Sequence, residues 1–169
     1  MKKYTDIEVV PLAEVPSEID SDRSYTVPLV LVVDDEPLVA DTLAAVLASS
    51  GLAVVRAYDG DSALEIALQE VPNLLLSDIR MPGMTGIELA MAVATELPTC
   101  EVLLFSGHAS THDLAEAHAA GFNFPLMTKP MHPVELLKRV HRCLNWQSPE
   151  QLHTESSAGF NDFSTQLAS

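Results

Sequence analysis

Positive charge is what this chain has least of. Nine Lys and Arg stand against 24 Asp and Glu, a formal net charge of −15 over 169 residues. Nucleic acid and anionic membranes are bound through positive charge, so the deficit excludes a general role on either surface. Cysteine is scarce too. Cys100 and Cys143 cannot make a disulfide framework and lack the paired spacing of a metal site. Both read as small apolar residues of a reducing compartment. No apolar run approaches the ~18 residues of a membrane span. Met1-Lys2-Lys3 leads into Tyr4-Thr5-Asp6-Ile7-Glu8, without the apolar stretch of a secretory signal. An acidic, soluble, cytoplasmic globular protein is the expectation, with one domain and modest extensions at this length.

Three zones are visible in the composition. Residues 1–27 carry Pro11, Pro16 and six acids against three bases, with no sustained periodicity. They read as a partly disordered extension, although Val9-Val10-Pro11-Leu12 could still pack on the domain. Residues 28–145 hold nearly all the strong apolar patterning. Residues 146–169 form a polar acidic tail with three acids and no Lys or Arg.

Within 28–145, short apolar runs alternate with segments of helical period. The runs are Leu29–Val33, Ala53–Ala57, Leu74–Leu76, Val102–Phe105 and Phe124–Met127. The first, third and fourth are apolar on both faces, as central parallel strands must be. The candidate helices are Pro37–Ser50, Asp61–Gln69, Gly86–Leu97, Ser110–Ala120 and Pro133–Asn145. Gly51, Pro72, Pro98 and Gly121 fall where helices should stop. In the last helix Val134, Leu137, His141 and Leu144 make the apolar stripe, with Lys138, Arg139 and Arg142 mostly off it. Five βα units with crossovers this short predict a doubly wound α/β fold, a parallel sheet covered on both faces. Pro125 requires the fifth strand to be an edge, because it cannot donate to a ladder.

Ligands of open parallel sheets bind beyond the carboxyl ends of the strands. Here strand one runs into Asp34-Asp35-Glu36, strand three into Ser77-Asp78, strand four into Ser106 and strand five into Thr128-Lys129-Pro130. Three carboxylates, a hydroxyl and an ammonium should therefore share one rim. Clustered carboxylates repel without a cation, and hard oxygen donors suit Mg²⁺. A lone ammonium beside them can hold a phosphoryl oxygen, and a carboxylate can itself become the nucleophile and form an acyl phosphate. Any one Asp after a strand is more often a helix cap or turn former, and a Lys-Pro is usually a solvated loop. The set, in this order, points to a site.

Leu31–Pro37, Leu76-Ser77-Asp78-Ile79-Arg80-Met81-Pro82-Gly83-Met84-Thr85-Gly86 and Met127-Thr128-Lys129-Pro130 resemble the receiver domain of bacterial two-component response regulators. The resemblance covers about residues 28–145. It implies a flavodoxin-like (βα)₅ fold with strand order 2-1-3-4-5. It makes Asp78 the phosphoacceptor, and Asp34 and Asp35 the acidic pair that binds Mg²⁺ together with Asp78 and the backbone carbonyl of Arg80. Ser106 matches the hydroxyl that moves to the phosphoryl group, and Lys129 the lysine that pairs with it. Lys129-Pro130 matches a bond usually cis in the family. A sensor histidine kinase or histidine phosphotransfer protein would be the donor. Output would pass to a protein target through the helix 4–strand 5–helix 5 face, with no direct nucleic-acid or membrane contact. The domain would be a signalling phosphoacceptor rather than an enzyme acting on other substrates, assisting only its own phosphorylation and dephosphorylation. The tail is too short for an output domain, which predicts a stand-alone regulator.

The chain departs from the family at Leu126, where an aromatic ring usually accompanies activation; Phe124 lies two residues earlier. Arg80 occupies a position where the family varies and tunes dephosphorylation. Two rivals follow. One is a receiver-like module whose contacts ignore phosphorylation, favoured by Leu126. The other is a Mg²⁺-dependent phosphohydrolase, with Asp34 and Glu36 two apart after strand one but no cap domain. His108 and His112 could share a helix face for a metal but lack a third ligand. Lys138-Arg139-Arg142 reads as a solvated face. The methionines need no cofactor, Asp59-Gly60 reads as a turn, and Trp146 reads as packing at the domain edge, with a partner contact as the alternative.

Overall fold

The computed structural model describes residues 26–107 and 114–146. Strand and helix alternate throughout. The elements are β1 (Leu29–Val33), α1 (Pro37–Ser49), β2 (Ala53–Ala57), α2 (Gly60–Glu70), β3 (Leu74–Asp78), α3 (Gly86–Glu96), β4 (Glu101–Ser106), α4 (Ala115–Ala119), β5 (Leu126–Thr128) and α5 (Pro133–Leu144). All strand pairs are parallel and the sheet order is β2-β1-β3-β4-β5. This is the expected doubly wound flavodoxin-like arrangement, and the winding reverses between β1 and β3.

The apolar runs explain the layering. Successive strand side chains point to opposite faces, so Leu31, Val33, Leu75 and Leu104 enter one core with Ala63, Ala67, Leu89 and Val93 of α2 and α3. Val30, Val32, Leu74, Leu76, Leu103 and Phe105 enter the other with Ala40 and Leu47 of α1 and Leu136 and Val140 of α5. Helix starts are set by caps. The Asp59 carboxylate accepts from the Ser62 N–H at 2.8 Å, and Thr85 and Glu88 form a reciprocal capping box.

Three sequence expectations shift. The third strand extends past Leu76 through Ser77 and Asp78, which are buried and belong to the ladder. The fifth strand begins at Leu126 instead of Phe124. The Pro125 carbonyl still accepts from the Leu104 N–H at 3.0 Å, but Pro125 has no N–H of its own, so regular pairing starts one residue later. Phe124 instead stacks on Phe122 and closes a core edge. β5 does lie at the sheet edge. In α5 the stripe is rotated: Leu136 and Val140 are buried, whereas Val134 is 48% exposed. Leu136, Leu137, Val140, Cys143 and Leu144 together make the wider 3.6-period face that meets the core.

Cys100 is buried and Cys143 half-buried, both as free thiols. Trp146 packs on the α1–α5 core. Otherwise the two extensions, His108, His112 and the start of the predicted fourth helix lie outside the described residues. Among the described residues no helix is long and apolar enough to cross a membrane.

Candidate functional site

The rim is built by three strands and one loop. β1 delivers Asp34, fully buried, whose N–H reaches the Ala57 carbonyl of β2. Its Oδ1 accepts the Glu36 N–H at 2.9 Å, which satisfies an otherwise unpaired donor at the start of α1. Asp35 is exposed at the mouth. β3 delivers Asp78, buried, with a carboxylate open to the rim. β4 delivers Ser106, buried, whose carbonyl accepts the Lys129 N–H at 2.8 Å. That bond anchors the chain at the end of β5, where Lys129-Pro130 is cis.

Lys129 joins the parts. Its Nζ lies 2.7 Å from Asp34 Oδ2 and 3.3 Å from Asp78 Oδ1. The same ammonium sits 4.5 Å from the centroid of the Phe105 ring, within cation–π range. One carboxylate oxygen each from Asp34, Asp35 and Asp78 lies within 4.8 Å of the others. Arg80 stands two residues beyond Asp78 with its side chain exposed. The structure thus brings Asp34, Asp35, Asp78 and Lys129 into one cluster, with Ser106 at the neighbouring strand end.

The electrostatics follow from burial and charge. Burial pushes the Asp78 carboxyl above its ordinary value; Lys129 opposes this and Asp34 adds to it. For Lys129, burial favours the neutral amine, but the hydrogen bond to Asp34 and the field of Asp78 outweigh it and hold its pKa up. Among the contacts of the described residues, one ammonium, Lys129, meets a cluster of three carboxylates. Three hard oxygen donors at this spacing fit a small divalent cation.

Two contributors carry no charge and were not singled out from sequence. A Cβ at Gly86 would meet the Asp78 carbonyl oxygen at 1.8 Å, so only glycine lets α3 begin this close to the strand end. The Gly86 N–H also donates to the Ile79 carbonyl at 2.9 Å. Phe105 is the other, a core residue whose ring underlies the ammonium. An aromatic immediately before Ser106 on a strand buried on both faces was the available signal.

The chain belongs to the response regulator receiver domain family, whose model matches residues 30–141. It is 40% identical over 119 residues to an uncharacterized 14.6 kDa protein in the sodA1 3′ region of Leptolyngbya boryana, covering 68% of this chain and 89% of that one. It is 31% identical over 123 residues to the DNA-binding transcriptional regulator NtrC of Escherichia coli K12, covering 73% of this chain. There the chain spans only 26% of the relative's length. The solved structure of the Vibrio cholerae chemotaxis protein CheY4 superposes with a TM-score of 0.65 at 30% identity, covering 70% of this chain and all of that one. Receiver domains are signalling domains of two-component systems, generally not enzymes. They interact with histidine kinases or phosphotransfer proteins, and the family typically uses Mg²⁺ at an acidic pocket.

Proposed function

We propose that this chain is a response regulator receiver that accepts a phosphoryl group on Asp78 from a sensor histidine kinase or histidine phosphotransfer protein. The observation that carries the reading is the Lys129 ammonium set between Asp34 and Asp78, at 2.7 and 3.3 Å. Asp34, Asp35, Asp78 and the Arg80 carbonyl would hold Mg²⁺, which when bound supplies further charge neutralisation for the phosphoryl oxygens.

The chemistry asks little covalent work of the protein. An Asp78 carboxylate oxygen attacks the phosphorus of a phosphohistidine. The P–N bond breaks, its electron pair returns to the imidazole, and an acyl phosphate forms. Lys129 donates to a phosphoryl oxygen, and the Ser106 hydroxyl does the same as the product is made. Asp34 holds Lys129 in place through the 2.7 Å contact. The domain acts in the cytoplasm, and its output passes to a protein partner at the α4–β5–α5 face.

The test is labelling by a small-molecule phosphodonor with Mg²⁺. One acyl-type label per chain, labile to base and to hydroxylamine, is expected, and Asp78→Asn should abolish it. Retained stoichiometric labelling of that variant would overturn the assignment. Leu126 favours one rival, a module whose contacts ignore phosphorylation, since Leu126 offers no ring to rotate. Equal partner affinity with and without a phosphoryl mimic would select the rival.

A further inference from the structure

The basic residues of α5 take no part in the acidic site. Lys138, Arg139 and Arg142 are three of the six Lys and Arg between residues 28 and 145. On a helix alone they make a solvated face. The fold gives them a neighbour: they line a groove of about 460 Å³ that also takes in β5 residues and, with Met127 and Met131, an apolar floor. β5 is the edge of the sheet, with no strand beyond it among the described residues. The backbone groups of an edge strand are a template for an extended segment. Lys138 pairs with Glu135 at 3.3 Å. Arg139 and Arg142 make no ion pair among the described residues.

We propose that this groove is the docking site for the chain's own acidic segment after α5, within residues 147–169. Charge is the first reason. The segment carries Glu150, Glu155 and Asp162 and neither Lys nor Arg, so it complements the Arg139 and Arg142 guanidinium groups, which make no ion pair among the described residues. Reach is the second. α5 closes through Asn145 at φ 47°, with the Trp146 N–H on the His141 carbonyl at 2.9 Å and the Asn145 N–H on the Arg142 carbonyl at 3.3 Å. This Schellman closure ends the helix beside Arg142, the last basic residue of the groove. The 12 residues of α5 span about 18 Å, which roughly six extended residues can retrace. Glu150 and Glu155 fall within and just past that length, with Leu152 between them for the methionine floor.

Attachment decides between occupants. Exposed charge pairs are too weak to hold two separate molecules together. A segment tethered at the helix end is present at an effective concentration of about millimolar, so the same contacts suffice within one chain. A docked segment would cover part of the β5–α5 surface and compete with any protein that binds there. The inference does not depend on phosphoryl chemistry at Asp78.

Zero-length carbodiimide coupling of the full chain tests it, because Lys138 is the only amine of the groove. A mixture of ¹⁴N- and ¹⁵N-labelled protein separates links within a chain from links between chains. The Lys138–Glu135 link, expected from their 3.3 Å contact, is the internal control. The expected result is an intrachain link from Lys138 to Glu150 or Glu155. Its yield should fall about fivefold in Arg139→Glu/Arg142→Glu, or in wild type at high salt, while the control link persists. The control link without any tail link overturns the proposal. Tail links found only between chains also overturn it, in favour of a second copy of the chain.

Discussion

Asp34 is wholly buried and its only close cation is Lys129 among the described residues. Removing the ammonium strands that carboxylate where water cannot reach it. Lys129→Met should therefore destabilise the protein by about 3–5 kcal/mol in chelator, the usual effect of breaking a buried pair. A urea midpoint unchanged at constant slope would show that Asp34 is solvated after all. Asp78 behaves in the opposite way. Its pKa is held above the ordinary value of 3.8, chiefly by burial, so the folded state prefers it neutral. Its contribution is fully present below 3.8 and is lost as pH rises through the higher folded value. Without metal, Asp78→Asn should be more stable than wild type at neutral pH, and the gap should close in acid. A variant less stable than wild type near neutrality would refute the sign.

Individual residues were legible in the sequence to the extent that they stand alone. Asp34, Asp35, Asp78, Ser106 and Lys129 each follow an apolar run, and a strand end is a position that pattern reveals. Gly86 was not singled out, because its role is a distance to the Asp78 carbonyl that only the packed strand and helix define. Phe105 was legible as core, but its second use beneath an ammonium depends on β5 lying alongside β4.

At the level of elements, helix starts carry local signals that can be weighed directly. Asp59 caps α2 through both Ser62 N–H and Ser62 Oγ, at 2.8 and 2.9 Å. Asp59→Ala should cost about 1 kcal/mol of stability. Thermal unfolding would report it, and labelling at Asp78 should be unaffected because Asp59 is no part of the acidic cluster. Loss of labelling in a folded Asp59→Ala would place α2 in the chemistry. Elements whose limits depend on partners were less legible. β5 is three residues long, and its start is fixed by a carbonyl of Pro125 pairing with β4, not by its own apolar content. α5 was mis-phased because Val134, Leu137, His141 and Leu144 are spaced well for a helix. Leu137 and Leu144 do pack against the core, but the sheet centres the buried row on Leu136 and Val140 and leaves Val134 exposed.

Taken as a whole, the molecule concentrates like charge. Asp34, Asp35 and Asp78 gather on a chain already at −15. Self-repulsion of this kind opposes folding, and a cation bound only by the folded state offsets it by mass action. Mg²⁺ should raise the unfolding temperature in a concentration-dependent way. Asp35→Ala should weaken that response while leaving the metal-free protein equally or more stable, since it removes one of the repelling groups. A full Mg²⁺ response in Asp35→Ala would move the cation elsewhere. The strand order was legible only through the family resemblance. Apolar runs on both faces mark the first, third and fourth strands as central, and Pro125 marks the fifth as an edge, as the sheet has them, but they do not order the strands within those groups.

The contact between Lys129 and Asp34 closes across 95 residues of chain. It also closes across the sheet, because β3 and β4 lie between the strands that carry the two residues. Until β5 has docked, Asp34 sits at the end of a central strand with no counter-charge. Any half-built sheet therefore bears a carboxylate that is losing water with only the local Glu36 N–H in return. Such species are penalised in proportion to how well the rest of the sheet has formed. The last and shortest strand thus acts as the latch of an all-or-none assembly, and the chemistry of the rim becomes available only when the chain has finished folding.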